Sequence, residues 1–267
     1  MGDVSKKGRG NQRLAHIIDL ALIVVLVIGL FFGGRYLYQQ HEVAHERAAA
    51  QRLTKQVTKK RHTNQTTMPA AGNISVNWRK LHQINPKIKA WIYVPGTRIN
   101  YAVMAGSNNT YYLHHDERDQ ASVSGQIFID YRDKPNFTAR NTFLYGHNMY
   151  NGSMFAGLND FLKQEFLNRH RHVYIYTPKK RYVGTVFAVQ TNSGPSIAHT
   201  LRFSSAQKFA NYLSYLKSRS KVKTNVKLKS IKKMATLWTC ANDSTTGDAG
   251  QTVPVEKSRT FVSVALK

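Results

Sequence analysis

The chain has 267 residues, of which 42% are hydrophobic and 11% aromatic, which is enough for a real core in one large or two small domains. Its single cysteine excludes an internal disulfide, so an exported domain would depend on its core alone. The formal net charge is +25, and residues 74–267 contribute to it with 28 basic against 10 acidic residues. Such a surface favours anionic partners: nucleic acid, anionic lipid headgroups or acidic wall polymers.

The N-terminus has the pattern of a membrane anchor. Residues 1–13 are basic, residues 14–34 are largely apolar, and no charge interrupts residues 20–32. As a helix, this stretch would rise about 30 Å, the thickness of a bilayer core. A cleaved signal peptide is the alternative, but the small residues at 48–50 lie too far from the apolar run to form its cleavage site. We therefore expect a single-pass anchor in the cell membrane, with a cytoplasmic tail at 1–13 and an extracellular C-terminal part.

Residues 35–73 are mostly polar and predict a linker between the anchor and a folded domain. Residues 41–61 are compatible with a helix, but its apolar face is thin, with Val43, Leu53 and Val57 only. We expect a solvated stalk here, followed by a domain that begins near Ile74 and extends to residue 267.

The domain itself shows short apolar runs separated by turn signals such as Pro95-Gly96. Many short strands at this spacing favour a closed barrel over a doubly wound sheet. The fold class is therefore mainly β with inserted helices, in an eight-stranded closed barrel. The predicted strands are residues 90–94, 99–104, 125–130, 141–147, 172–177, 181–191, 234–240 and 259–266.

Helical periodicity appears in three places of the domain. Trp78, Leu81 and Ile84 share one helical face that ends before Pro86. Apolar residues at helical spacing also predict helices over 154–168 and 204–218, with Ser204 as the N-cap of the second. Between residues 217 and 233 there are eight basic residues and no acidic one, which fits a solvated face and an anion-binding surface equally well.

The only cysteine, Cys240, ends a predicted strand and precedes a polar loop. A lone cysteine is often inert core filler, but a thiol on a strand end combines fixed position with access, as a nucleophile requires. His147 also lies at a strand end, and Arg259 opens the last strand, where a hairpin would bring it beside the thiol. The pair His114-His115 suggests a metal site, but no second cluster at ligand spacing supports one, so we expect neither metal nor cofactor.

Three segments together resemble the sortase family: residues 145–149 (Tyr-Gly-His-Asn-Met), 236–240 (Thr-Leu-Trp-Thr-Cys) and 258–260 (Ser-Arg-Thr). Residues 91–101, 125–130 and 151–158 are similar to class B members in particular, as is the long inserted helix before the cysteine strand. The resemblance covers roughly residues 74–267. Two departures stand near the expected substrate site: Trp238 replaces a small polar residue, and Ala102 replaces a proline.

The resemblance implies a membrane-tethered cysteine transpeptidase of Gram-positive surfaces. Cys240 would attack a backbone carbonyl in a C-terminal sorting signal, His147 would transfer protons, and Arg259 would stabilise the oxyanion. An amine of a peptidoglycan precursor or of a pilin would resolve the thioester. Thr239 is a candidate for a supporting hydrogen bond, and Asp243 either orients His147 or, as we favour, only begins the following loop.

Two alternatives remain open at this level. A cysteine peptidase that only hydrolyses would use the same acyl-enzyme, and a non-enzymatic, basic module would bind wall polymers. We expect no nucleic-acid partner, because the domain is exported and lacks the aromatic-plus-basic spacing of strand-binding folds. We also expect the catalytic domain to be monomeric.

Overall fold

A computed structural model describes the backbone of residues 4–60 and 72–267 and the side chains of residues 16–59 and 72–267. The chain divides into two compact units, Met1–His45 and Glu46–Lys267. Helix α1 (Val4–Val57) crosses this division. Its part in the first unit exposes large apolar side chains such as Leu26 and Phe31, and it is long and apolar enough to cross a membrane. The predicted anchor lies within it.

Within the described part of the second unit, eight strands close into a barrel, and all eight correspond to predicted strands. These strands are β3 (Ile88–Tyr93), β4 (Asn100–Ala105), β5 (Ile127–Ile129), β6 (Asn141–Tyr145), β7 (His172–Tyr176), β8 (Arg181–Ser193), β9 (Lys233–Cys240) and β12 (Ser258–Leu266). The closed order is β12-β8-β7-β3-β4-β5-β6-β9, where the numbers follow the chain.

Both faces of the barrel wall are buried along much of its length, which explains the nearly continuous apolar runs. Because successive strand residues point to opposite faces, β9 places Ala235 and Leu237 in one apolar cluster and Met234 and Trp238 in the other. The second cluster is covered by helix α4 (Ala206–Ser218) through residues such as Phe209. The cysteine strand is therefore fixed from both sides.

The remaining elements are short. Helix α2 (Trp78–Ile84) confirms the predicted helical segment that ends before Pro86. Strands β1 (Thr58–Lys60) and β2 (Ile74–Val76) pair antiparallel, as do β10 (Thr245–Thr246) and β11 (Thr252–Val253). Residues 61–71, a part of the predicted 35–73 linker, lie outside the described residues.

The prediction of one continuous helix over 154–168 is wrong. A 3-10 helix (Ala156–Leu162) and helix α3 (Gln164–Arg169) replace it, because Lys163 between them is extended, with φ −90° and ψ 123°. Its apolar side chains are still used, since Phe155 and Leu158 are fully buried. The N-cap of α4 is Ser205, not Ser204, and its hydroxyl accepts the backbone N–H of Lys208.

The last part of α1 does not behave as the solvated stalk that we expected. Leu53 and Val57 form only a thin apolar face of the helix. Both are nevertheless buried in the second apolar cluster, the one that helix α4 covers. The Glu46 carboxylate accepts the backbone N–H groups of Val123 at 2.8 Å and Ser124 at 2.9 Å. The compact unit that contains the barrel thus begins at Glu46, earlier than the Ile74 boundary.

Candidate active site

Strand direction brings the predicted reactive residues to one edge of the barrel. Strands β6 and β9 are parallel, with Tyr145 opposite Trp238, so the residues that follow each strand lie at the same end. Strand β12 runs antiparallel to β9 and places Arg259 opposite Cys240. As a result, Cys240, His147 and Arg259 all line one cavity of about 430 Å³.

The thiol of Cys240 is exposed, so this residue is not core filler. Asn159, in the connection between β6 and β7, fixes the end of the cysteine strand. The Asn159 side-chain amide donates to the Cys240 carbonyl at 3.2 Å, and its oxygen accepts the Thr260 hydroxyl at 2.5 Å. The sulfur therefore combines a fixed backbone with access from the cavity, as nucleophilic attack requires.

The imidazole of His147 has a defined hydrogen-bond partner. Its Nε2 lies 2.8 Å from the backbone carbonyl oxygen of Leu113. Because a carbonyl can only accept, Nε2 carries the hydrogen, and Nδ1 is the nitrogen that can take up and release a proton. The carbonyl fixes the ring orientation without adding a charge to the site.

The guanidinium of Arg259 is anchored by the backbone beside it. Its Nη1 donates to the carbonyl oxygens of Glu256 at 2.9 Å and Ser258 at 2.8 Å. The rest of the guanidinium has no hydrogen-bond partner among the described residues. A planar cation with spare donors at the cavity edge is suited to carbonyl oxygens and to a developing oxyanion.

The two supporting candidates have different positions. Thr239 is buried, and its hydroxyl donates at 2.8 Å to the carbonyl of Gly146, the residue before His147. It thereby ties the cysteine strand to the histidine strand. Asp243 is exposed and lies beside a separate depression with Ser244 and Thr245. This position agrees with the loop assignment that we favoured for Asp243.

Part of the cavity is aromatic, and of its aromatic residues only Trp238 was expected near the substrate site from the sequence. The ring centroids of Trp238 and Tyr145 are 4.6 Å apart, and those of His199 and Trp238 are 4.8 Å apart. Phe128, Tyr145, Trp238 and His199 all line the cavity. His199 comes from the β8–β9 connection, one of eleven histidines in the chain, and no local pattern distinguishes it.

An ion pair lies behind the aromatic part, between the buried carboxylate of Asp130 and the exposed side chain of Arg132. Arg132 donates to both carboxylate oxygens of Asp130, at 2.9 and 2.7 Å, and the Tyr145 hydroxyl donates to the same carboxylate at 2.6 Å. Burial alone would raise the pKa of Asp130, but these donors hold it well below its usual value. Burial and the neighbouring carboxylate raise the pKa of Tyr145, so the phenol keeps its proton. Among the described residues, no cluster of three or more His, Cys, Asp or Glu side chains could hold a metal ion.

Comparison with known proteins agrees with this geometry. The Sortase domain family profile matches residues 92–253. Sortase B of Listeria monocytogenes is 30% identical over 218 residues, which cover 82% of this chain and 87% of that protein. A structure of a Staphylococcus aureus sortase B–substrate complex is 28% identical, with a TM-score of 0.63, over 72% of this chain and 84% of that one. A crystal structure of sortase B complexed with triglycine is 27% identical, with a TM-score of 0.63, over 72% and 85% of the two chains.

The profile match covers more than half of the chain, and the relatives share the closed barrel over most of their length. The chain therefore belongs to the sortase family, class B, and is a cysteine transpeptidase of cell-wall sorting.

Proposed function

We propose that this protein cleaves a C-terminal sorting signal of surface proteins through a thioacyl-enzyme on Cys240 and transfers the product to an amine. The observation that supports this is the convergence of Cys240, His147 and Arg259, from three strand ends, on one open cavity. The substrate class agrees with the relative from Staphylococcus aureus that is described as a substrate complex.

In the first half-reaction, the Cys240 thiolate attacks the scissile carbonyl carbon and forms a C–S bond. The carbonyl oxygen becomes an oxyanion, which the spare donors of Arg259 stabilise. The tetrahedral adduct collapses, the C–N bond breaks, and protonated His147 gives its Nδ1 proton to the leaving amine. The product is a thioester, and the electrons of the broken bond leave with the amine.

In the second half-reaction, an incoming primary amine attacks the thioester. Neutral His147 takes a proton from that amine through Nδ1, a new C–N bond forms, and the C–S bond breaks to regenerate the thiolate. The acceptor is an amine of a peptidoglycan precursor or of a pilin. The sortase B structure with triglycine favours an oligoglycine-type amine among these.

We further propose that residues 14–34 anchor the protein in the cell membrane, with residues 1–13 cytoplasmic and the catalytic domain outside. The apolar helix that could span a bilayer supports this arrangement. The anchor would concentrate the enzyme beside substrates that are themselves tethered to the membrane.

The direct test is the intact mass of the full chain in detergent after incubation with short sorting peptides. We expect an acyl adduct that Cys240→Ala abolishes while the circular dichroism spectrum stays unchanged. Addition of triglycine should then release a ligated peptide, whereas release of the free acid alone would identify a hydrolase. Peptide cleavage at the original rate in the Cys240→Ala variant would overturn the proposal.

A further inference from the structure

The catalytic domain contains a long stretch of chain that has no acidic residue. Residues 166–242, 77 in all, include 15 lysines and arginines but no aspartate or glutamate. Eleven of the 15 are exposed, and none of these eleven forms an ion pair among the described residues. Elsewhere in the domain a lysine does find a carboxylate, as Lys87 finds Asp119 at 3.1 Å. An ordinary solvated surface mixes charges of both signs, and this one does not.

Four of these cations form a lysine row on the connection between α4 and β9. Lys221, Lys223, Lys227 and Lys229 are exposed, and every even-numbered residue from 222 to 228 is buried or half-buried. All outward positions of this segment are therefore lysine except Asn225. Neighbouring outward positions lie at most about 7 Å apart along the chain. The four ammonium groups have no hydrogen-bond or ion-pair partner among the described residues.

The backbone of the lysine row is fixed by its neighbours. From α4, the Lys217 ammonium donates to the Thr224 carbonyl at 2.7 Å and to the Thr224 hydroxyl at 2.5 Å. That hydroxyl donates to the carbonyl of Phe187 in β8 at 2.8 Å. From α3, the Gln164 side-chain amide accepts the N–H of Lys223 at 2.7 Å and donates to its carbonyl at 3.1 Å. The row is thus attached to three elements of the domain.

A cavity of about 360 Å³ lies at the lysine row and contains further hydrogen-bond donors. Arg171, Lys223, Asn168 and Thr185 are among the residues that line it. Arg171 Nη2 donates to the Asn168 carbonyl at 3.3 Å, and the rest of the guanidinium has no hydrogen-bond partner among the described residues. The Asn168 side-chain oxygen accepts from Gln164 at 3.0 Å, which leaves its N–H groups available.

This cavity is electrostatically different from the one that contains the thiol, and the two share no lining residue. No acidic residue of the described chain lines it. A recess with a guanidinium, an ammonium and neutral donors, but no carboxylate, is suited to an anion. Because Lys223 belongs both to the cavity and to the lysine row, an anion bound here lies next to further cations along the chain.

We propose that the lysine row and this cavity bind an anionic wall polymer with phosphodiester repeats. One phosphate is bound by the spare donors of Arg171 and by the Lys223 ammonium, since a planar fork and a point charge both suit phosphate oxygens. The other lysines of the row meet successive repeats of the polymer. Such binding would hold the catalytic domain beside the wall. The inference goes beyond the proposed transfer reaction and rests only on the extracellular position proposed for the domain.

The composition of the surface favours a polymer over a lipid bilayer. Proteins that lie on membranes combine basic residues with exposed aromatic or aliphatic side chains that enter the lipid. Within residues 166–242, Ile197 is the one large apolar side chain that is exposed, and it precedes α4, whereas the lysine row follows α4. Single-stranded nucleic acid is disfavoured as well, because its bases stack on exposed aromatic rings. A single free phosphate would leave most of the row without a partner.

The test measures the dissociation constant of the full chain in detergent for a synthetic poly(glycerol phosphate), over a series of salt concentrations. The row variant combines Lys221→Gln, Lys223→Gln, Lys227→Gln and Lys229→Gln. We expect it to bind at least tenfold more weakly at about 0.15 M salt. The slope of log affinity against log salt should become shallower by about three, because each lost phosphate contact removes about 0.7.

The matched control removes four positive charges from other parts of the domain. It combines Arg79→Gln, Lys80→Gln, Lys89→Gln and Lys134→Gln, all of which lie outside residues 166–242. Its affinity should stay within about threefold of the wild type, since distant charges are screened at this salt concentration. Arg171→Lys tests the cavity, because it keeps the charge without the planar fork, and its affinity should lie between those of the wild type and the row variant.

Equal losses in the row variant and the control would show that only the total charge matters, and would overturn the inference. Binding to phosphatidylglycerol vesicles without binding to the polymer would also overturn it and identify a lipid surface. If the row variant does not fold, Lys223→Gln alone must still weaken polymer binding. Acyl-adduct formation on Cys240 should be the same in the wild type and the row variant. Loss of polymer binding with intact acylation thus refutes this inference alone, and absent acylation with intact binding refutes only the proposed transfer.

Discussion

The two histidines of the cavity are the same residue type in opposite settings. His147 follows strand β6, and its Nε2 donates to a neutral backbone carbonyl, that of Leu113. His199 lies in a connection, and its Nε2 donates to a phenol that is itself bonded to a buried carboxylate. A lone carbonyl accepts from the neutral ring and from the imidazolium alike, so His147 is free to cycle between them. The phenol oxygen beside His199 likewise keeps the hydrogen on Nε2, but an ionised carboxylate lies behind it instead of a neutral peptide group.

In both rings the acceptor at Nε2 leaves Nδ1 as the nitrogen that can gain a proton, and the two sites differ in the charge that lies behind that acceptor. A ring that must give and take protons needs a partner that tolerates both charge states. Four substitutions test this division between the reacting part of the cavity and the parts that position it.

The largest effect is expected for His147→Gln. Glutamine can still donate to the Leu113 carbonyl, but it cannot exchange a proton with the amine, so kcat/KM should fall about 10³-fold. Single-turnover peptide transfer measures this. The matched control is His170→Gln, because His170 also bonds a backbone carbonyl, that of Pro95 at 2.9 Å, but lies outside the cavity. A loss of less than about tenfold in His147→Gln would contradict its role.

A smaller loss is expected for Arg259→Met, about 10²-fold in kcat, because the oxyanion loses its donors. Arg259→Lys keeps the charge but not the planar fork, and should therefore lie between the wild type and Arg259→Met. Pre-steady-state formation of the thioester separates this effect from weaker peptide binding. If Met and Lys variants form the thioester as fast as the wild type, Arg259 has no part in that step.

Thr239→Val should act on stability more than on chemistry. It leaves the buried Gly146 carbonyl without its 2.8 Å donor, and the free energy of unfolding should fall by about 1–3 kcal/mol. Thr239→Ser retains the hydroxyl and is the matched control. Urea unfolding followed by tryptophan fluorescence measures both. Equal midpoints for the Val and Ser variants would show that the hydrogen bond between β9 and the end of β6 does not matter.

The smallest effect is expected for Asp243→Asn. The side chain is exposed and His147 already has Leu113 as its partner, so kcat/KM should stay within about twofold of the wild type. Steady-state kinetics suffices here. A loss of about tenfold or more would mean that the carboxylate orients the imidazole, and the contrast between the two histidines would then need revision.

Local sequence patterns predicted the eight strands, the apolar helix and the identity of Cys240, His147 and Arg259 as residues at strand ends. Alternation, apolar runs and turn residues are properties of neighbours in the chain, so they are visible without the fold. The same patterns misplaced the end of the linker, because Glu46 is fixed by Val123 and Ser124, far along the chain. They also merged a 3-10 helix and α3 into one helix.

The amino-acid sequence by itself determined that a thiol, an imidazole and a guanidinium would end strands of a barrel, because strand ends follow from local composition. Only the tertiary structure decided which side chains hold and surround them. Asn159 is 81 residues from the Cys240 carbonyl that it binds, and His199 is 54 residues from Tyr145. Contacts over such separations depend on parallel pairing of β6 with β9 and on the path of the β8–β9 connection, which no local pattern specifies.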